Sequence, residues 1–229
     1  MKSAEFPYIE RNWRHSLAAC GAKIIFHALC PLYLASSSPR RIDFFNSLGL
    51  SVIVLSPPDQ AEPSPLPDEE PETYALRAAL AKASGVHGLI PPSQGDSSPL
   101  IIAADTVVVL HNKILGKPRD TDEAFAMLSL LSGKTHTVIT GCAILSQHLP
   151  TPHTFAVSSF VSMWDCPATL LKAYSRSGEP MDKAGAYAIQ GAGAFLISRM
   201  QGSWSNVVGL PLAEMVETLL ELRAIVPAS

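Results

Sequence analysis

The chain has 229 residues, room for one large α/β domain or two small lobes around a cleft. Hydrophobic residues make up 47% and charged residues only 16%, which supplies a sizeable core and excludes wholesale disorder. A net charge of -3, from 17 Lys+Arg against 20 Asp+Glu, excludes a basic nucleic-acid coat or a binder of anionic membrane.

Residues 1–30 read as an extension of unknown role. Their short apolar run, "AKIIFHALC", is interrupted by Lys23 and His27 and preceded by Glu5 and Glu10, unlike a signal peptide or an organelle presequence. No apolar stretch approaches the roughly 18–20 residues that span a bilayer. Cys20, Cys30, Cys142 and Cys166 have no CxxC spacing and read as reduced thiols of a cytoplasmic protein. The histidines show no metal-binding spacing.

From residue 31 strands and helices alternate. "PLYLAS" predicts a short buried strand. A helix follows with Ser38 as N-cap, Pro39 in its first turn, an Ile42/Phe45/Leu48 stripe and Gly49 just past its end. "LSVIVLS" predicts a second strand. Residues 57–72, with six prolines and six acidic residues, predict a surface loop running into a helix. "ETYALRAALAKASG" predicts an Ala-rich helix ended by Gly85, and "LIIAADTVVVL" a strand that turns at "HNK" into "ILGKP". In "RDTDEAFAMLSLLSGK" a capping box (Asp120, Glu123) opens a helix and Gly133 stops it.

"THTVITGCAIL" and "FAVSSFVSMW" predict further strands, and "CPATLLKAYSRSG" a helix. "GAFLISRM" and "WSNVVGL" read as extended, and "PLAEMVETLLELRA" as a closing amphipathic helix. The interleaving argues an α/β fold with a mixed sheet flanked by helices, residues 31–229 forming one two-lobed unit.

The polar interruptions carry the chemistry. Asp105 splits a run, Leu100 to Leu110, that otherwise reads as a buried strand. A carboxylate there must be paired, protonated or cation-bound, unless the strand ends at Ala104 and Asp105 with Thr106 form an exposed bend. In "LASSSPRR", Ser36, Ser37 and Ser38 add hydroxyls to a helix start whose free amides and dipole favour an anion, and Arg40 and Arg41 follow directly. The bland alternative is a capped helix with two solvent-facing arginines. Taken singly, Lys82 and Lys117 read as ordinary solvated lysines. In "EPMDKAGAYAIQGAGA", small residues allow close backbone approach, and Asp182, Lys183 and Gln190 stand among them. A Gln amide can read the edge of a nucleobase.

"LASSSPRR", "AADT…GKPRD", "LSGKTHTVITG" and "DKAGAYAIQG…GSWSNVVGLPL", in this order across about residues 32 to 220, resemble the Maf family of nucleoside triphosphate pyrophosphatases. The resemblance implies a fold like that of inosine triphosphate pyrophosphatases, with a cleft between two lobes. It implies hydrolysis of a nucleoside triphosphate to monophosphate and pyrophosphate, assisted by Mg2+ or Mn2+. Asp105 matches the family's proton acceptor and a metal position. Arg40, Thr106 and Gln190 match base-selectivity positions, and Ser36, Arg41, Lys82 and Lys117 fall among phosphate-binding groups.

"ADT" with "DKAGAYAIQG" resembles the dTTP/UTP branch, which also makes modified pyrimidine triphosphates plausible targets. A metal-related Glu expected after the second strand falls on Glu62 counting back from Tyr74, or on Asp59/Gln60 counting from Gly49. An Ala stands before "ADT" where the family commonly has Gly. Family members are often homodimers. The rival readings are a non-catalytic nucleotide-binding regulator of cell division, and a pyrophosphatase for 7-methyl-GTP or another purine nucleotide.

Overall fold

The computed structural model of the chain describes residues 24–58, 61–90, 98–146 and 149–228. Its elements are β1 (Phe26–Ala28), β2 (Leu32–Leu34), α1 (Pro39–Ser47), β3 (Ile53–Val54), α2 (Pro71–His87), β4 (Leu100–Leu110), β5 (Lys113–Leu115), α3 (Thr121–Leu131), β6 (Thr135–Leu145), β7 (His153–Met163), α4 (Ala168–Ser175), β8 (Ile197–Gln201), α5 (Trp204–Val208), α6 (Leu212–Glu221) and β9 (Ile225–Pro227). The mixed α/β expectation holds. One sheet runs β3-β2-β4-β6-β7-β8, with β5 added to β4, and β2 is parallel to β3 and β4 while the other pairs are antiparallel. β1 and β9 pair as a separate antiparallel ribbon.

The register of β4 makes the cleft. One edge pairs with β6 from Ile101 to Val109. The other edge pairs with β2 at Leu100–Ile102 and with β5 at Val108–Leu110. Strand pairing on that edge therefore lapses over residues 103–107, and the gap lies between the C-terminal end of a parallel strand and a hairpin arm. A cleft at the carboxyl end of a parallel strand is where α/β sheets usually bind ligands.

Alternation along β4 then sorts its side chains. Ile101, Ala103, Val107 and Val109 pack against α2, together with Tyr74, Ala75, Ala78, Ala79 and Ala83. On the opposite face Ile102 and Ala104 join Leu34, Phe45, Met215 and Leu219 in one core. Val108 and Leu110 join Leu128, Leu131, Val138 and Leu196 in another. Two cores on one sheet face, parted at Thr106, are the two lobes.

Three expectations are corrected. α2 does not end at Gly85 but runs to His87. Gly85 instead makes room for the loop before it: a Cβ there would lie 3.2 Å from Ala61 Cβ and 3.4 Å from Pro58 Cδ. "WSNVVGL" is largely helical, because Ser203 caps α5 by accepting from the Asn206 amide at 3.2 Å and outweighs the strand preference of two valines. "GAFLISRM" is extended only from Ile197, since Ala192–Leu196 form a 3₁₀ turn.

Candidate active site

β2 ends at the cleft and hands the chain to α1, whose first turn faces it. Ser38 is the N-cap residue, yet its hydroxyl makes no capping bond. Its amide donates to Ser36 Oγ at 3.2 Å, which tightens the turn. Arg41 folds back into the protein. Its Nε donates to the Gly209 carbonyl at 2.7 Å, Nη1 to Ser36 Oγ at 3.2 Å, and Nη2 to Thr106 Oγ1 at 3.2 Å. Burial pushes its pKa below the usual arginine range, with the Asp105 charge opposing. Arg40 stands apart at the mouth, 3.8 Å from Asp182 Oδ2. Of the two arginines read as solvent-facing in the bland alternative, Arg41 is fully engaged.

β4 continues through Asp105 as strand, so the exposed bend does not form; Asp105 is 6% exposed. It sits directly opposite Gly141 in the ladder, with its side chain toward α2. A Cβ on Gly141 would lie 2.4 Å from the Ala75 carbonyl carbon, so only glycine lets α2 come this close. That seat brings Lys82 of α2 onto Asp105, where Nζ pairs with Oδ1. Asp105 Oδ2 has no hydrogen-bond partner among the described residues.

Lys82 also pairs with Glu62 Oε2 at 3.0 Å. Glu62 is pushed up by burial but pulled down more by Lys82, Lys117 and Arg41, and ends below the usual glutamate range. The structure thus places Glu62 beside Asp105, while Asp59 and Gln60 lie outside the described residues.

Thr106, one residue on, faces the other side of the sheet. Its hydroxyl shares a 2.9 Å hydrogen bond with Thr140, and Thr140 Oγ1 meets the Asn206 carbonyl at 3.0 Å. Thr140, Asn206 and Gly209 carry no signal in the sequence, where a lone Thr or a backbone carbonyl looks ordinary.

The far wall comes from residues after β5 and α4. Exposed Lys117 follows the hairpin arm. The neighbouring Gly116 carbonyl accepts from the Gly185 amide at 3.0 Å, which docks the small-residue segment on the arm. Gly185 has φ 69 and a Cβ there would lie 2.9 Å from Val108 Cγ1, so the close backbone approach expected of this segment is onto β4. Lys183 pairs with Asp182. Tyr187, equally silent in the sequence, lines the cleft and meets buried His136 Nε2 at 2.7 Å. Gln190 lines the cleft with no side-chain partner among the described residues. All the residues predicted for the site, Ser36, Ser38, Arg40, Arg41, Glu62, Lys82, Asp105, Thr106, Lys117, Asp182, Lys183 and Gln190, border one cleft of about 470 Å³.

The cavity is polarised, cationic along the α1 turn and carboxylate-bearing on its floor, and it defines an α/β protein with one charged cleft in its sheet. The family follows from comparison with known proteins. The chain belongs to the Maf-like proteins, whose family model matches residues 31–222. It is 50% identical over 202 residues to the dTTP/UTP pyrophosphatase of Nitratidesulfovibrio vulgaris, covering 87% of this chain and 91% of that protein. It is 47% identical over 192 residues to the dTTP/UTP pyrophosphatase of Desulfotalea psychrophila, covering 83% and 93%. The protein of the same name from Oleidesulfovibrio alaskensis is 43% identical over 206 residues, covering 89% and 90%.

Proposed function

We propose that this chain is a nucleoside triphosphate pyrophosphatase that hydrolyses dTTP and UTP to the monophosphate and pyrophosphate. One observation carries the reading. The unpaired stretch of β4 brings a carboxylate, Asp105, to the floor of a cleft whose walls hold the α1 turn on one side and, on the other, the Gln190 amide, which has no side-chain partner among the described residues. The relatives' names supply the substrate.

The triphosphate lies along the α1 turn, Ser36, Ser38, Arg41, Lys82 and Lys117, where backbone amides, hydroxyls and cations offset its charge. The base lies toward Gln190, whose amide complements the N–H flanked by two carbonyls of thymine or uracil. Arg40 and Thr106 border that selection, with Asp182 and Lys183 at the mouth. Lys82 holds Asp105 by Oδ1, so Oδ2 takes the proton of a water that attacks the α-phosphorus. The α–β anhydride bond breaks and pyrophosphate leaves with the bridging oxygen.

Asp105 and Glu62 fit a hard divalent cation, Mg2+ or Mn2+, because both carboxylates already converge on a single ammonium. No group of three or more His, Cys, Asp or Glu that could hold a metal occurs among the described residues, so phosphate and water oxygens would complete the shell. Such an ion, when bound, neutralises phosphate charge and lowers the pKa of water.

Residues 31–229 form the catalytic unit in this reading, and β1 from the preceding segment packs onto it through its pairing with β9. Among the described residues no helix is long and apolar enough to cross a membrane. Cys30, Cys142 and Cys166 are free thiols, which suits the cytoplasm. A homodimer belongs to the proposal and is read by sedimentation.

The test is product release from dTTP, UTP, 7-methyl-GTP and ITP with Mg2+ or Mn2+. dTTP and UTP should be the best substrates and pyrophosphate, not orthophosphate, the product. Turnover of none of the four would leave a nucleotide-binding regulator, and preference for 7-methyl-GTP or ITP would move the enzyme to purines.

A further inference from the structure

Glu179 contributes nothing to the walls of the cleft, yet its carboxylate is among the most fully used in the molecule. It opens a 3₁₀ turn, Glu179–Asp182, just after Gly178 at φ 83. Oε1 accepts from the Gly193 amide at 2.8 Å and from the Tyr174 hydroxyl at 2.9 Å, and Oε2 accepts from the Ala192 amide at 3.0 Å. These amides begin the 3₁₀ turn Ala192–Leu196, whose N-cap residue, Gly191, has no side chain to cap with. A carboxylate from a distant turn does the capping instead.

The surrounding glycines are shaped by this clamp. Gly191 has φ 84, and a Cβ on it would lie 2.9 Å from Glu179 Oε2. A Cβ on Gly193 would lie 2.3 Å from the Tyr174 hydroxyl and 2.7 Å from the Ala188 carbonyl oxygen. The backbone carbonyl of Glu179 in turn accepts from Lys183 Nζ at 3.5 Å. One residue therefore ties together the 182–183 and 191–193 segments, between which Gln190 is carried into the cleft.

We propose that Glu179 is a positioning residue for base recognition: its carboxylate fixes the 191–193 backbone and so presents the Gln190 amide at one height in the cleft. The inference rests on Gln190 reading the base. An amide on an untethered loop would have to be ordered by each incoming nucleotide, and that ordering would weaken discrimination between bases.

Glu179→Gln keeps the size but turns one oxygen into a donor facing a donor. Its effect is read as kcat/KM for dTTP and dCTP, beside inhibition by pyrophosphate, which occupies the phosphate end alone. The dTTP:dCTP ratio should fall about 10-fold, the loss of one charge-assisted hydrogen bond, while pyrophosphate inhibition changes less than about 2-fold. Tyr174→Phe removes one donor and leaves both amides bound, so its ratio should stay within about 2-fold of the parent.

If Glu179→Gln does not fold, Gly191→Ala displaces the same clamp by sterics and should lower the same ratio. A reduced rate with an unchanged ratio, or pyrophosphate inhibition lost in parallel, would overturn the proposal by making Glu179 a scaffold only. Gln190→Ala separates the two layers. If it leaves the ratio intact, base reading by Gln190 fails and the proposal with it. If it abolishes the ratio while Glu179→Gln keeps it, the proposal alone fails.

Discussion

Asp105 and Thr106 are chain neighbours in β4, yet they anchor two different networks on opposite faces of the sheet. On the α2 face the network is ionic and open to the cleft: Asp105 and Glu62 share Lys82, and the Glu62 side chain is 46% exposed. On the other face it runs through hydroxyls and carbonyls, from Arg41 to Thr106, Thr140 and Asn206, and is largely buried. The first set has charges that a ligand can redistribute, while the second fixes a guanidinium in place. A strand left unpaired on one edge exposes both of its faces to one cleft, so two consecutive residues supply two kinds of chemistry.

That division can be broken from either side. Asp105→Asn should lower kcat about 10²- to 10⁴-fold while dTTP still binds, as calorimetry beside steady-state kinetics would read. Equal losses in binding and turnover would make Asp105 a phosphate-side residue. Gly141→Ala pushes α2 off its seat, and should cost about 1–3 kcal/mol in denaturant unfolding while lowering kcat through misplaced Lys82. Full activity in that variant would show that the close helix approach does not set the ion pair.

On the opposite face, Arg41→Lys cannot span Gly209, Ser36 and Thr106 together. It should lower kcat/KM about 10-fold for dTTP and UTP alike, since a point charge replaces a fork. The smallest effect on turnover should come from His136, which lies outside both networks. Burial drives its pKa down from 6.5 to about 4, so the folded state binds fewer protons than the unfolded chain across that window. Its share of stability is present above pH 6.5 and lost as pH falls toward 4, up to about 3 kcal/mol in all. His136→Gln should flatten that acid slope in pH-dependent unfolding while leaving dTTP turnover at neutral pH near the parent's.

Much of this is legible in the sequence. The apolar run around Asp105 gave both β4 and its exceptional carboxylate, because a lone charge in a buried strand has few explanations. The stripe and caps of α1 and α3 were legible for the same local reasons. α5 was not: two valines argue strand, and a single serine cap decides otherwise only once the Asn206 amide is in reach. Gly85 reads as a helix stop until Pro58 and Ala61 are seen packed on it. The separate surroundings of Arg40 and Arg41 have no local signature at all, since the Arg41 acceptors Thr106 and Gly209 lie 65 and 168 residues away. Long-range pairing of that kind is what the fold contributes and a sequence window cannot hold.

The central claim is attack by water on the α-phosphorus in the cleft beside Asp105. Hydrolysis of dTTP in oxygen-18-labelled water, followed by mass spectrometry of both products, tests it directly. The label should appear in dTMP and not in pyrophosphate; label in pyrophosphate, or release of orthophosphate in its place, would contradict the account.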